Sequence, residues 1–162
     1  MLQPHYPNAS LCRACGGACC KRGAGICAPT DFDQEITPAF VLALLQTGRM
    51  AIDWWDGDVT GGDLERTRYV RPRHKNEPAV DASWGGVCVN WSAASGCALP
   101  PETRPYQCRM LIPHEENGVR ACHYNPQDAA TKGQMAARWY PYQAVLEEAI
   151  RLFFADGTQT QQ

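Results

Sequence analysis

The chain has 162 residues, a formal charge of −2, and 44% apolar against 20% charged residues. That length supports one ordinary hydrophobic core and the composition excludes a disordered polyelectrolyte. The small negative charge gives no general attraction to nucleic acid or to an anionic membrane, and the longest apolar run, Ala39 to Leu45, is far too short to cross a bilayer.

The first ten residues carry neither a basic stretch nor an apolar core of signal-peptide type. The expected location is the cytoplasm, where thiols stay reduced. Residues 1–36 read as loop, because Gly, Cys, Pro and Asp interrupt any helical or strand period. Within them stands CRACGGACC, four cysteines in nine residues: Cys12, Cys15, Cys19 and Cys20. A bound cation removes the burial penalty of a thiolate, and Gly16 and Gly17 let the backbone wrap closely around it. The C-x2-C step is a common way of aiming two sulfurs at one ion. The adjacent Cys19 and Cys20 point to opposite faces if the backbone is extended, so one of them serves a second metal, bridges two metals or simply packs.

The first helix is expected over Pro38–Gln46, with Thr37 as N-cap, Pro38 at the first helical position and Gly48 just past the end. Phe40, Val41, Leu44 and Leu45 form its apolar face, which is expected to cover the cysteine loop. MAIDWW, residues 50–55, reads as an edge strand, and residues 66–73 as a second strand ending at Pro72. Asp53, Asp56 and Asp58 interleave with Trp54 and Trp55. They suit a polar cleft or a hard-metal site, but read more simply as a solvated turn. Arg66, Arg68, Arg71, Arg73, His74 and Lys75 surround Tyr69. They suit phosphate or RNA, but in a chain of net charge −2 read as a basic solvated face.

Residues 74–83 are polar and turn-like. Val87 to Trp91 is expected to be a short strand carrying Cys88, followed by a loop stiffened by Pro100, Pro101 and Pro105 that carries Cys97 and Cys108. A helical region from about 128 to 154 is expected to be split by Pro141. Tyr142, Val145, Leu146, Ile150 and Phe153 would line the inner face of its second half. No internal repeat and no long linker divides the chain. The expected fold is therefore one small, loop-rich α+β domain, residues 1–162, organised around a cysteine-ligated metal centre.

There are nine cysteines in all, with Cys27 and Cys122 outside these groups. An odd count and no export signal weigh against a disulfide framework. Among the histidines, His114 and His123 are the better placed to complete a site of three cysteines and one histidine. Arg104 and Arg109 flank Cys108 and are candidates to donate hydrogen bonds to cluster sulfurs, Arg109 ahead of Arg104; the alternative is a surface salt bridge. The chain has no G-x-G-x-x-G, no Walker loop, no H-E-x-x-H and no G-x-S-x-G.

The strings CRACGGACC, GGVCVNWSAASGC and RPYQCRMLIP together resemble the YkgJ-type cysteine-cluster family, described as a zinc- or iron-chelating domain. The resemblance spans residues 12–113. It implies Cys12, Cys15, Cys19, Cys20, Cys88, Cys97 and Cys108 as the ligand set. The family's usual spacing has two residues before the Cys-Cys pair, whereas this chain has three. The expected function is metal binding, with zinc or an iron–sulfur cluster as cofactor and a surface open to a protein partner. The alternative is an iron–sulfur redox enzyme or electron-transfer protein. Four thiolates suit zinc and iron alike, so the ligand set does not select between them.

Overall fold

The computed structural model describes residues 16–56, 66–82, 85–110, 113–116, 119–122 and 129–157, the backbone alone in 113–116, 119–122 and 129–131. At its centre two strands, β1 (Met50–Trp55) and β2 (Thr67–Pro72), pair antiparallel with Ile52 opposite Val70 and Asp53 opposite Tyr69. Burial along these strands does not alternate. Ala51, Ile52 and Asp53 are buried in succession, as are Tyr69, Val70 and Arg71. The hairpin is thus covered on both faces. The open edge of β1 is closed by residues 79–81: Ile52 donates to Ala79 O at 2.8 Å and accepts from Asp81 N at 3.0 Å.

The helices follow from local signals and are fixed by packing. In α2 (Pro38–Gln46) the Thr37 hydroxyl accepts from Phe40 N at 3.2 Å, and Gly48 turns the chain with φ 72°. Its buried residues Val41 and Leu45 share one core with Leu146, Ala149 and Phe153 of α5 (Gln143–Ala155). Contact with α5 is why α2 does not cover the cysteine loop as the sequence suggested. Its apolar stripe is used against the C-terminal helix, and the cysteines form a separate cluster.

The C-terminal segment divides into α4 (Ala129–Ala137), a 3-10 turn (Tyr140–Tyr142) and α5. Pro141 breaks the helical run as expected. It sits inside the turn rather than at the first position of α5, and Trp139 caps the start of that turn. Trp139 is fully buried and donates its indole N–H to Cys27 O at 2.7 Å. The Gln143 side chain then grips the backbone of β2, accepting from Arg68 N at 2.8 Å and donating to Arg68 O at 2.9 Å.

Residues 1–36 are not all loop. A one-turn helix, α1 (Ala18–Arg22), and a 3-10 turn (Pro29–Asp31) lie among the described ones. The expected strand at 87–91 reduces to a bridge between His74 and Cys88, with β3 (Trp91–Ser92) pairing instead to β4 (Gly96–Cys97). A short helix, α3 (Tyr106–Arg109), carries Cys108. The hairpin β5 (Pro113–Glu116) and β6 (Val119–Cys122) was not anticipated. Its signal was Asn117-Gly118 between two strand-compatible segments. The whole is a small α+β fold with helices and two-stranded antiparallel sheets. Among the described residues no helix is long and apolar enough to cross a membrane.

Two charged segments differ from their expected solvated state. Asp53 is 1% exposed and Arg71 is 2% exposed, and Arg71 Nε donates to Asp53 Oδ2 at 2.9 Å. The same guanidinium reaches Glu77 at 2.7 Å. His74, also buried, donates through its backbone N–H to Glu77 at 2.6 Å. The alternating Arg pattern was read as one wet face, but the strand is covered on both sides. The inward arginine therefore needs buried carboxylates. Lys132 of α4 is buried within the field of Asp53, and burial lowers its pKa against that attraction.

Two outcomes follow. Leu146 is fully buried at the helix contact, so Leu146→Ala should cost about 2–5 kcal/mol in urea unfolding. Burial alone would raise Glu77, but hydrogen bonds from His74 and Arg71 outweigh it and hold the carboxyl at about 2, against an ordinary 4.5. A depressed folded-state pKa contributes stability that is full above about 4.5 and lost as pH falls through about 2. Urea midpoints should therefore drop across that window, and Glu77→Gln should drop less steeply there than the wild type.

Candidate metal centre

Three chain segments converge on one small cavity. α1 brings Cys19 and Cys20, the β3–β4 region brings Cys88 and Cys97, and α3 brings Cys108; all five line a cavity of about 20 Å³. The rest of the wall is mostly small or apolar: Gly23, Ala24, Gly25, Pro72, Leu99 and Pro105, with Asn90. Residues 1–15 lie outside the described residues, so Cys12 and Cys15 have no structural account, and the same holds for His5, His123 and Asp58. His114 and Cys122 are described only as backbone in β5 and β6.

The two cysteine-rich stretches meet because glycine lets them. Gly17 has φ 70°, a left-handed conformation that favours glycine, and a Cβ there would stand 2.8 Å from Gly96 Cα. Two hydrogen bonds fasten the contact. Cys88 N donates to Cys20 O at 2.7 Å, and the Trp91 indole N–H donates to Gly16 O at 2.9 Å. Cys19 and Cys20 lie on a helix rather than an extended strand, so their side chains diverge by about 100° and not 180°. That resolves the awkward pair: both line the same cavity.

The thiols are organised by hydrogen bonds. Cys19, Cys20 and Cys97 lie together in the cavity wall, and Cys20 influences the ionisation of the other two. Donation from Cys20, aided by backbone N–H groups, lowers Cys19 to about 7. Donation from Cys20, the Leu99 N–H and the Arg104 guanidinium lower Cys97 to about 6 against burial. Cys20 itself is pushed up, first by its bonds to Cys19 and Cys97 and then by burial. Burial pushes Cys88 up to about 11 even though it accepts from Asn90 N at 3.5 Å. Burial and the neighbouring thiols also push Cys108 up, against the opposing pull of the Gly25 N–H. Neighbouring backbone N–H groups pull Cys19, Cys88, Cys97 and Cys108 toward the thiolate, and in Cys88 and Cys108 burial outweighs them.

The arginines exchange the places the sequence suggested. Arg104 is buried, donates to Leu99 O at 3.0 Å and reaches the Cys97 sulfur. Arg109 turns away from the cavity to Asp31 at 2.7 Å and lies over the Tyr106 ring. Cys27 is buried in the main core and does not line the cavity. The described cysteines with side-chain accounts, Cys19, Cys20, Cys27, Cys88, Cys97 and Cys108, are free thiols. Among the described residues no three Cys, His, Asp or Glu side chains stand grouped tightly enough to hold an ion as they lie.

Two functional positions were not read from the sequence. His74 Nε2 accepts from Ala24 N at 2.9 Å, and Gln107 Oε1 accepts from Ile26 N at 2.7 Å. His74 was legible as one member of a basic run and, with His5, as a weaker candidate than His114 and His123 to complete a cysteine site. Gln107 carried no signal beyond standing next to Cys108. Its Nε2 is buried without a partner among the described residues, at a cost of about 1–3 kcal/mol. The placement of this amide is therefore set by its oxygen.

No family model, curated protein or solved structure matches this chain. The site must be judged on its own chemistry. In metal-free protein at pH 7.5, iodoacetamide should label Cys97 and Cys19 before Cys88 and Cys27. Peptide mass spectrometry over a time course checks the order, since the thiolate is the reactive form.

Proposed function

We propose that this protein is a metal-binding protein whose clustered cysteines hold zinc or an iron–sulfur cluster. The observation that supports it is the convergence of five thiols from three segments on one cavity. Soft sulfur donors in a largely apolar wall fit zinc or iron–sulfur chemistry and do not fit magnesium or calcium. Cys19, Cys20, Cys88, Cys97 and Cys108 would hold the group, with Cys12 and Cys15 as the further ligands implied by the motif resemblance. Metal would draw together thiols that now line one cavity, and thiol protons would be released on binding.

The same reading gives Arg104 a role. Four thiolates on a divalent ion carry about −2 of charge, and a buried guanidinium beside Cys97 offsets part of it. Zinc in this site would act as a structural cross-link, because its shell is closed. Iron–sulfur would add electron transfer, with potential set in part by the neighbouring backbone N–H groups.

Anaerobic purification separates the two metals. A brown protein absorbing broadly near ~400 nm contains iron–sulfur; a colourless protein with stoichiometric zinc contains zinc. Either result supports metal binding, and a metal-free, fully folded protein overturns it. Cys97→Ser and Cys108→Ser should lose metal and lower the melting temperature, as should chelation, because metal binding here is folding energy. Cys27→Ser should keep its metal.

A further inference from the structure

The strap after α1 is held on both sides of Gly25 by buried side chains. Ala24 N–H donates to His74 Nε2 at 2.9 Å and Ile26 N–H donates to Gln107 Oε1 at 2.7 Å, while Gly25 between them lines the cavity with Cys108. The strap is also part of the cavity wall, through Gly23, Ala24 and Gly25. Glycine at 25 has the loosest backbone of the three. Its amide direction is therefore fixed by the anchors on either side.

His74 is itself held from behind. Because Nε2 accepts, the ring proton resides on Nδ1, which faces Glu77 Oε2 at 3.1 Å. Glu77 is fixed by Arg71 at 2.7 Å, and Arg71 by Asp53 at 2.9 Å. His74 and Gln107 are both buried, at 3% and 1% exposure. Gly86 packs so closely on His74 that a Cβ there would meet the His74 Cβ at 3.1 Å. The hydrogen-bonded chain runs from the β1–β2 hairpin to the strap that faces the thiols.

We propose that His74 is a positioning residue for the cysteine centre: with Gln107 opposite, it aims the Gly25 N–H at the Cys108 sulfur. The inference rests on the metal-binding reading of the same cavity. Its chemistry is that of a hydrogen bond to a metal-bound thiolate, which stabilises the ligand and tunes the centre. His74 does not touch the metal and acts through the strap.

Two side chains separate the two bonds of the ring. Asparagine at 74 places a donor near the Nδ1 position and leaves Ala24 without its acceptor. Glutamine places an oxygen near the Nε2 position. The full chain, its His74→Asn variant and its His74→Gln variant are each loaded with cobalt(II) alone. The cobalt–thiolate charge-transfer band and the rate of metal loss to a chelator are then recorded. His74→Asn should lose cobalt at least about tenfold faster with a shifted band, and His74→Gln should return both towards the wild type. Equal behaviour of His74→Asn and wild type, or failure of His74→Gln to rescue, overturns the assignment.

A measurement on the wild type needs no variant to fold. With cadmium-113 bound, the Gly25 amide proton should couple to the metal through its hydrogen bond to the Cys108 sulfur. A cadmium-loaded protein without that coupling overturns the proposal while leaving metal binding intact. A chain that takes up neither cobalt nor cadmium overturns the metal-binding reading itself.

Discussion

Arg71 is a guanidinium at 2% exposure, and the rest of the structure is arranged so that it can stay there. Removing such a charge from water is costly unless oppositely charged, hydrogen-bonded partners replace the solvent. Asp53 supplies one partner from the facing strand, and Glu77 supplies the other from the loop beyond β2. Each then constrains something else. Asp53 faces the field of Lys132 and so involves α4, while Glu77 holds the His74 ring. One buried cation thereby links the helical layer, the hairpin and the strap of the cysteine cavity. The value of such a network lies in specificity more than in net stability, since a buried ion pair contributes little beyond its own desolvation.

The molecule has two cores of unlike character. The larger is ordinary: Val41, Leu45, Ile52, Val70, Trp139, Leu146 and Phe153 bury apolar area, at about 25 cal/mol per Å². The smaller contains Cys20, Ala24 and Cys88, flanked by Cys19, Trp91 and Cys97. It has too few large side chains to hold three loop segments together by apolar burial. Hydrogen bonds to the backbone carry it instead: Cys88 N–H to Cys20 O, the Trp91 indole N–H to Gly16 O, and Gly86 N–H to Arg22 O. A region rich in thiols and poor in packing is where a bound ion would add most to stability.

The surface beside this smaller core is basic. Lys21 and Lys75 lie over the Trp91 ring at 5.0 and 5.1 Å. Their long stems shield the indole whose N–H anchors Gly16, so the charges also act as packing. The positive charge on this rim has the sign that opposes a thiolate cluster. In a chain of net charge −2, that is a local segregation and not a property of the whole molecule.

What the sequence determined by itself was whatever depends on near neighbours. Thr37, Pro38 and Gly48 set the bounds of α2, because caps and φ preferences act within a turn. The apolar run at 50–55 marked β1, and Pro141 marked the break before α5. The cysteine strings, through the resemblance they carry, implied the segments that converge. The tertiary structure alone decided what those segments meet. It placed α2 on α5 and not on the cysteines, buried Asp53 and Arg71 where their neighbours suggested a wet turn and a basic face, and turned Arg104 inward and Arg109 outward. It also brought His74 to Ala24 and Gln107 to Ile26, across 50 and 81 residues of chain. The physical reason is the same in each case. A charge or an amide is solvated wherever water reaches it, and whether water reaches it is set by elements packed from far along the chain, which no local pattern records.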